Sequence, residues 1–542
     1  MKRVGLFKKA VSIALVTAMT AMTVAGCGGK STSTSSSSDG NKENGNYKDY
    51  SKGFEQQVTI KIPVYDRAFE GWDVANNYYT KWIQKEFGDK YNVKVEYTAI
   101  GRKTEVADYK QMLAAGTAPD IIFHYDMPQA LNYYSDEAMQ ELDYDEIAYY
   151  APNYYKTVKD TIEQYGKVDG KNAFFFAKRD PIYYNYVTLI RQDWLDKVNM
   201  EMPTNLEEFN KVLDAWKEAG LGKNGAQLIT GSFTYEYGFL SNDVSKEDKA
   251  KYLDLNVAPF TWEPTKEFLK EQNAQFNNGT LDPEFYLNVT DADAKADFVS
   301  GNTGVYGLYI NSSTDVISSL LANDKNAKVA TLNPAALSKD GNAYYYQYPN
   351  YGMIMGINAK TSDEQRAAIW MFLDWMSQSD NLFYLQNGVE GQNYNLEDGI
   401  AVPVADYAGE SKLSNNNNKD YWCLVNELQT YDTEEKTYKA NLKTLAPAGY
   451  EKLIEDAYKY AQDNEKYGIL TPIFSKTVES ISEYSADLAA MWKEFYVDLI
   501  TCKPEEFDAK YEKHCKDYLD GGYQAILDEK ESLIKEGAYV AQ

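Results

Sequence analysis

The chain has 542 residues, of which 81 are Asp or Glu and 55 are Lys or Arg, giving a formal net charge of −26. With 44% hydrophobic residues, it is long enough for two or three domains with sizeable cores. The negative charge argues against nucleic acid as a partner, because phosphates would be repelled, and against docking on an anionic membrane surface.

The N-terminal segment is typical of a secretory signal. Basic residues at positions 2, 3, 8 and 9 precede an apolar stretch, Ala10 to Ala25, that is too short for a comfortable transmembrane helix. It ends in Val24-Ala25-Gly26-Cys27, which resembles the bacterial lipobox, whose cysteine is acylated after cleavage. We therefore predict a signal peptide over 1–26 and lipidation of Cys27; the alternative is an ordinary secretory signal with a chance cysteine.

The residues after the lipobox have the composition of a tether. Residues 28–46 consist of Gly, Ser, Thr, Asn, Lys, Asp and Glu, and such a segment cannot bury a core. We assign 27–55 to the lipidated cysteine and a flexible tether, which would hold a folded body at the outer face of the bacterial cell membrane. This predicts an extracytoplasmic, lipid-anchored protein rather than a membrane-spanning one.

Residue types that carry most hydrolytic and metal chemistry are scarce. After Cys27 the cysteines are Cys423, Cys502 and Cys515, and the chain has 2 histidines. The sequence lacks the HExxH, CxxC, GxSxG and Walker motifs. We therefore expect no enzyme activity, no cofactor and no metal. Cys502 and Cys515 could pair, although free thiols are the favoured interpretation.

The start of the predicted body, from 56 to 123, alternates between strand and helix patterns. Strands are predicted at 58–64, 93–97 and 119–123, with a helix from Trp72 to Phe87 and another at 106–113. This order is typical of an α/β fold with a doubly wound parallel sheet, in which ligands bind beyond the carboxyl ends of the strands.

The same pattern continues along the chain. A Tyr-rich strand is predicted at 182–190, and a helix opens at Thr204, with Thr204 and Glu207 forming a capping box. A helix is predicted at 367–376, and the tail from Val478 is predicted to be helical.

Several segments, in this order, resemble one protein family. They are Ala-Gly-Thr-Ala-Pro-Asp-Ile (115–121), Arg-Gln-Asp-Trp-Leu-Asp (191–196), Pro-Thr-Asn-Leu-Glu-Glu-Phe (203–209), Phe-Val-Ser-Gly-Asn-Thr-Gly (298–304) and Gly-Val-Glu-Gly-Gln-Asn-Tyr (388–394). Together with the lipobox, they resemble the extracellular solute-binding proteins of ABC importers, family 1, the sugar-binding type. The resemblance spans roughly residues 56–540.

The resemblance implies an α/β, two-lobed periplasmic-binding-protein-like fold. Each lobe would be a doubly wound sheet flanked by helices, with a helical C-terminal extension. We place lobe 1 at 56–181 plus 353–403 and lobe 2 at 182–352 plus 404–542. We expect a monomer that captures a carbohydrate, with an oligosaccharide as the expected form, in the cleft between the lobes. It would close on this ligand and deliver it to the permease subunits of an ABC importer in the membrane.

Candidate ligand-binding residues follow from the chemistry of sugars, whose C–H faces stack on aromatic rings and whose hydroxyls pair with polar side chains. The candidates are Tyr65, Asp66, Arg67, Trp72, Tyr125, Asp126, Tyr184, Tyr235, Glu236, Tyr309, Tyr348 and Glu390. Trp72 could instead belong to a core, and Glu390 could fix its own loop.

Two other functions remain open at this point. The same scaffold could bind a peptide or another polar solute, because a fold does not fix its ligand. A glycan-active surface enzyme would need two carboxylates facing each other across a cleft, and no spacing singles out such a pair. The identity and charge of a sugar also remain open, although Arg67, Arg102 and Arg179 could accept a uronate locally.

Overall fold

Residues 47–542 form one compact unit. In a computed structural model of the protein, the described residues are 47–540, with gaps at 69, 180–185, 224–243, 255, 288–290, 343, 345–348, 405–406, 414–417, 430 and 471. The predicted signal peptide and Cys27 therefore lie outside the described residues.

The strands are short, and helices make up most of the regular structure. The strands are β1 (Val58–Asp66), β2 (Val93–Gly101), β3 (Ile121–His124), β4 (Lys167–Val168), β5 (Lys171–Asn172), β6 (Phe175–Lys178), β7 (Tyr186–Arg191), β8 (Val305–Tyr309), β9 (Val329–Thr331), β10 (Tyr351–Ile357), β11 (Tyr394–Glu397), β12 (Ile400–Pro403), β13 (Ile473–Phe474) and β14 (Tyr539–Val540).

The helices flank these strands. They are α1 (Tyr78–Ile83), α2 (Asp89–Tyr91), α3 (Glu105–Ala115), α4 (Met127–Ser135), α5 (Tyr144–Tyr150), α6 (Pro152–Tyr165), α7 (Gln192–Val198), α8 (Leu206–Glu218), α9 (Lys246–Tyr252), α10 (Glu263–Asn278), α11 (Asp291–Val299), α12 (Ser313–Asn323), α13 (Asp363–Ser377), α14 (Ser379–Asn387), α15 (Lys419–Trp422), α16 (Glu434–Thr444), α17 (Lys452–Asp463), α18 (Glu479–Thr501), α19 (Phe507–Tyr518) and α20 (Gln524–Lys535).

The first lobe is built around one continuous apolar core. β1 and β2 pair in parallel, from Val58 opposite Val93 to Asp66 opposite Gly101. β10 pairs antiparallel with β3 on one side and β6 on the other. All seven residues of β10 are buried, so this strand is apolar throughout rather than alternating. The helix α13 packs on β1, α5 and α6 and covers the core.

The second lobe has a smaller sheet and a larger helical part. β7 lies between β8 and β9 and is antiparallel to both. α8 closes one side of this sheet through the core that contains Trp194 and Trp216. α10 packs along α18, and α18 to α20 form a separate apolar cluster at the C-terminal end. The tail is thus helical, as its pattern predicts.

Three segments pass between the lobes side by side. Lys178 at the end of β6 lies opposite Tyr351 at the start of β10, and Lys178 also forms a parallel bridge with Asn426. Residues 421–425 pack in the core of the first lobe. The chain therefore still packs with the first lobe at 421–425, which lies beyond the boundary of lobe 1 predicted at 403.

Two helix starts differ from their predicted positions. The first helix begins at Tyr78, capped by the Asn77 side chain, so Trp72 precedes it. α8 begins at Leu206, where the Asn205 side chain accepts from the Glu208 amide. The predicted capping box of Thr204 and Glu207 is therefore wrong by one residue.

Some further features bear on the sequence predictions. Cys423, Cys502 and Cys515 are free thiols. Within the part of the chain that the structure describes, no helix is both long and apolar enough to cross a membrane.

Candidate ligand-binding cleft

A cleft of about 2060 Å³ is lined by residues of both lobes. Arg67, Arg102 and Tyr125 contribute from the first lobe, and Tyr309 and Trp492 from the second. The segments that connect the lobes also contribute to its lining, through Tyr351, Gly352 and Glu427. Pockets for drug-sized molecules typically measure about 300–1,000 Å³, so this cleft has room for a longer ligand.

The first-lobe wall is built at the carboxyl ends of three strands. Arg67 follows β1, Arg102 follows β2, and Tyr125 follows β3. The Arg102 amide donates to the Asp66 carbonyl at 3.3 Å, which ties the first two strand ends together. Side chains from separate parts of the sequence thus meet at one edge of the lobe, where α/β sheets bind ligands.

Arg67 is held by a carboxylate from the connecting region. Its Nε and Nη2 donate to the two oxygens of Asp420 at 2.7 and 2.8 Å. The Asp420 side chain is only 4% exposed, so this is a bidentate and largely desolvated pair. The hydrogen bonds to Asp420 raise the pKa of Arg67 despite its partial burial. Arg67 therefore joins the end of β1 to α15 as well as lining the cleft.

Arg102 lies against two tyrosine rings. Its guanidinium carbon is 4.8 Å from the ring centre of Tyr65 and 5.3 Å from that of Tyr125. The two rings are nearly parallel, 12° apart, with centres 6.2 Å from each other. Nη1 of Arg102 donates to Glu105 at 3.1 Å. These contacts fix the position of the guanidinium, although the Arg102 side chain is still 40% exposed.

A hydrogen-bonded chain supports Glu105 from behind. The Asp126 amide donates to Nδ1 of His124 at 2.9 Å, so the ring proton of a neutral His124 lies on Nε2, which is 2.5 Å from Glu105. Burial disfavours the charged form of Glu105, but His124 and Arg102 outweigh it, and the pKa of Glu105 lies below its ordinary value. Glu105 is therefore a preformed anion beside Arg102.

Glu427 lies at the connecting segments and accepts hydrogen bonds from two side chains. It accepts from the Tyr125 hydroxyl at 3.0 Å and from Lys419 at 2.8 Å, and Arg179 lies 3.7 Å away. The Glu427 side chain is 7% exposed. A Cβ added at Gly352 would come within 2.5 Å of the Glu427 Cβ, so the close approach requires glycine there.

The second-lobe wall is mainly aromatic and apolar. Tyr309, at the end of β8, is 48% exposed. Trp492 of α18 is half-buried and packs edge-on against Phe260, with ring centres 5.8 Å apart. Phe268 of α10 is also half-buried and lines the cleft. The two walls thus differ in character: the first is mainly charged, and the second is mainly aromatic and apolar, with Asp254, Asp315 and Lys476 as its charged residues.

Four of the candidate residues lie on the cleft surface: Arg67, Tyr125, Asp126 and Tyr309. Four others, Tyr184, Tyr235, Glu236 and Tyr348, lie outside the described residues.

The structure places the remaining four candidates elsewhere. Tyr65 is buried beneath Arg102 and supports the wall from behind. Asp66 is exposed and accepts from the Ala68 amide within its own turn. Trp72 packs on Tyr79 and Tyr421 in the first-lobe core. Glu390 is exposed on a loop that bridges to Tyr394. None of these four is among the residues that line the described part of the cleft.

Sequence reasoning missed Lys419, Asp420, Glu427 and, in the tail predicted to be helical, Trp492. Residues 419–427 show no extended periodic pattern and acquire their roles from contacts with residues hundreds of positions away. Helical spacing alone does not show that the Trp492 ring reaches a cleft. Among the described residues, no group of three or more His, Cys, Asp or Glu side chains could hold a metal ion.

A two-lobed α/β fold with its cleft between the lobes defines the class of proteins that capture a solute and close around it. Residues 82–387 match the family described as bacterial extracellular solute-binding protein. The chain belongs to this family.

Named relatives and solved structures extend the comparison. The chain is 24% identical over 473 residues to the polygalacturonan/rhamnogalacturonan-binding protein YtcQ of Bacillus subtilis (strain 168), covering 83% of this chain and 88% of the relative. A 26% identity to lipoprotein LipO of the same organism spans 43% of this chain and 48% of that protein.

Two solved structures share the fold. The alginate-binding protein AlgQ2 without calcium ion aligns with a TM-score of 0.59 at 17% identity, covering 90% of this chain and 99% of that one. An HMO-binding, ABC-transporter-associated solute-binding protein from Bifidobacterium longum infantis aligns with a TM-score of 0.61 at 14% identity, covering 89% of this chain and 99% of the other. These matches confirm the predicted two-lobed α/β fold.

Proposed function

We propose that this protein captures an oligosaccharide between its lobes and delivers it to the permease of an ABC importer. The observation that carries the proposal is the cleft of about 2060 Å³, lined by half-buried or exposed aromatic rings on one side and hydrogen-bonding side chains on the other. Ring faces suit the C–H faces of sugars, and charged and amide groups suit their hydroxyls. The names of YtcQ and of the two structural neighbours, which describe saccharide binders, support the same class of ligand.

The proposal includes where the protein works. A signal peptide over 1–26 and a lipid on Cys27 would place the folded unit at the outer face of the cell membrane, next to the permease. The name of the relative LipO, a lipoprotein, supports this placement. Mass spectrometry of the membrane-extracted protein should find a diacylated Cys27 as the N-terminal residue, and Cys27→Ala should release the protein into the medium.

A thermal-shift screen of the protein from Tyr47 onward tests the ligand class. Mono- and oligosaccharides of different lengths are compared with short peptides. A ligand at about 100 times its dissociation constant adds roughly 2.7 kcal/mol to the stability. We expect oligosaccharides to raise the melting temperature and to be recovered uncleaved. A rise with peptides alone would favour a peptide binder, and cleavage of the added glycan would favour an enzyme.

A further inference from the structure

Basic residues outnumber acidic residues among those that line the cleft, whereas acidic residues are in excess in the chain as a whole. Among the described residues, those that line it include six cations, namely Arg67, Arg102, Arg179, Lys412, Lys419 and Lys476, and four carboxylates, namely Asp126, Asp254, Asp315 and Glu427. In the chain, acidic residues outnumber basic ones by 81 to 55. A local excess of cations in an acidic protein attracts an anion to the cleft and repels it elsewhere.

The cations differ in how many of their hydrogen-bond donors are used on carboxylates of the protein. Arg67 uses Nε and Nη2 on Asp420. Lys419 donates to Glu427. Arg102 makes one hydrogen bond to a described side chain, through Nη1 to Glu105, and Glu105 is also the partner of His124. Arg102 therefore retains donors for a further acceptor, and at 40% exposure it is open to the cleft.

The surroundings of Arg102 fix the guanidinium before any ligand arrives. The rings of Tyr65 and Tyr125 pack close to it, and Glu105 accepts a hydrogen bond from one of its nitrogens. A guanidinium held in place pairs best with a planar acceptor that has two oxygens, such as a carboxylate. Because the fold already orders the Arg102 side chain, ligand binding loses little further side-chain entropy.

We propose that the ligand is an acidic oligosaccharide and that Arg102 binds the carboxylate of one of its uronate rings. This inference rests on the proposed function and adds the charge of the ligand and the residue that reads it. Around the first-lobe wall and the connecting segments, cations exceed carboxylates by one charge. The cations are Arg67, Arg102, Arg179, Lys412 and Lys419, and the carboxylates are Asp126, Glu427, Asp420 and Glu105. That excess fits a singly charged carboxylate better than a densely sulfated chain.

Isothermal titration calorimetry of the protein from Tyr47 onward tests this assignment. The titrants are oligogalacturonates and oligomannuronates, their methyl esters, which keep the backbone and remove the charge, and neutral and sulfated oligosaccharides. We expect an acidic oligosaccharide to bind at least about tenfold more tightly than its methyl ester, as the loss of a charge-assisted hydrogen bond implies. Rising salt concentration should weaken the binding of the acidic oligosaccharide and leave the binding of its methyl ester unchanged.

Arg102→Gln should remove this preference, lowering affinity for the acid at least about tenfold and leaving the ester within about twofold. Arg102→Lys should retain part of the preference, because it keeps the charge and loses the fork. Lys103→Gln is the matched control, since the neighbouring lysine is exposed and does not line the cleft. Thermal unfolding of each variant verifies that it is folded.

The other outcomes separate the two proposals. Equal binding of acids and their esters, or an unchanged preference in Arg102→Gln, overturns the carboxylate inference and leaves oligosaccharide capture standing. Binding of sulfated oligosaccharides alone also overturns it. If no saccharide of either charge binds, both proposals fail.

Discussion

At the scale of single residues, Glu427 is the contact on which the cleft wall and the connecting segments meet. Its carboxylate accepts from Tyr125 and Lys419 while being 7% exposed. Glu427→Gln keeps the shape but leaves Lys419 without its anion, so we expect a loss of about 1–3 kcal/mol in the free energy of unfolding. Urea denaturation measures it. Glu435→Gln, on an exposed helical pair with Lys439, should change stability by less than about 0.5 kcal/mol.

The neighbouring carboxylate Glu105 should make stability depend on pH on the acid side. Although burial opposes its ionisation, hydrogen bonding to His124 and the charge of Arg102 leave its pKa below the ordinary 4.5. A carboxyl group whose pKa is lower in the folded state than in the unfolded state stabilises the protein at pH values above its unfolded-state pKa. This stabilisation is lost as the pH falls through the folded-state pKa. The contribution of Glu105 to the free energy of unfolding is therefore present above about pH 4.5 and is lost below it.

Glu105→Gln tests this dependence. The variant should be less stable than the parent at pH 7, and the difference should shrink as the pH is lowered from 5 to 3, in urea melts at each pH. Glu163→Gln, an exposed carboxylate on α6, should track the parent throughout. A constant deficit across this range would show that Glu105 acts through packing and not through its charge.

Local sequence patterns locate some site residues and miss others for a physical reason. Arg67 and Tyr125 reach the cleft because they follow strands whose pattern is visible in the sequence. Trp72 does not, because its ring packs against Tyr421, far away in the chain. Asp420 is missed for the same reason: its partner Arg67 precedes it by 353 residues, and no short window contains both.

At the scale of secondary-structure elements, the start of α8 offers a direct test of register. Asn205 caps the helix by accepting from the Glu208 amide at 2.9 Å, whereas Glu207 pairs with Lys211 on an exposed surface. Asn205→Ala should therefore cost about 1 kcal/mol. Glu207→Ala should cost only a few tenths. Equal losses from both would restore the capping box predicted from the sequence.

The elements themselves were largely predictable where one face is buried. Alternation over 58–64 predicts β1, and apolar spacing over 106–113 predicts α3, because each pattern matches the period of its element. The pairing of β10 between β3 and β6 was not predictable, since a fully buried strand shows no alternation and its partners lie far away in the chain. The packing of residues 421–425 with the first lobe was not predictable for the same reason.

At the scale of the whole molecule, the three connecting segments should make the lobes unfold together. Cys423 lies in the first-lobe core with 0% exposure, and Cys502 lies in a second-lobe core with 6%. Burial raises the pKa of both thiols, so neither should react while its lobe is folded. In the protein from Tyr47 onward carrying Cys515→Ser, one thiol then reports on each lobe.

Labelling this variant with a thiol reagent at increasing urea should expose both cysteines at the same concentration. Peptide mapping assigns each labelled site, and circular dichroism follows overall unfolding in parallel. Reaction of Cys423 well before Cys502, or the reverse, would contradict the coupling and show that each lobe is a separate cooperative unit.

The side-by-side passage of three segments also has a consequence for biogenesis. The amide of Asn77 donates to the Tyr421 hydroxyl across 344 positions, so the first lobe cannot complete its core until nearly four-fifths of the chain has been synthesised. Contacts of such long separation are slow to form. Until then, β1 and α14 lack the contacts that α15 makes with them. A chaperone would therefore have a long period in which to bind the nascent chain, and premature termination before residue 421 would leave neither a finished lobe nor a cleft.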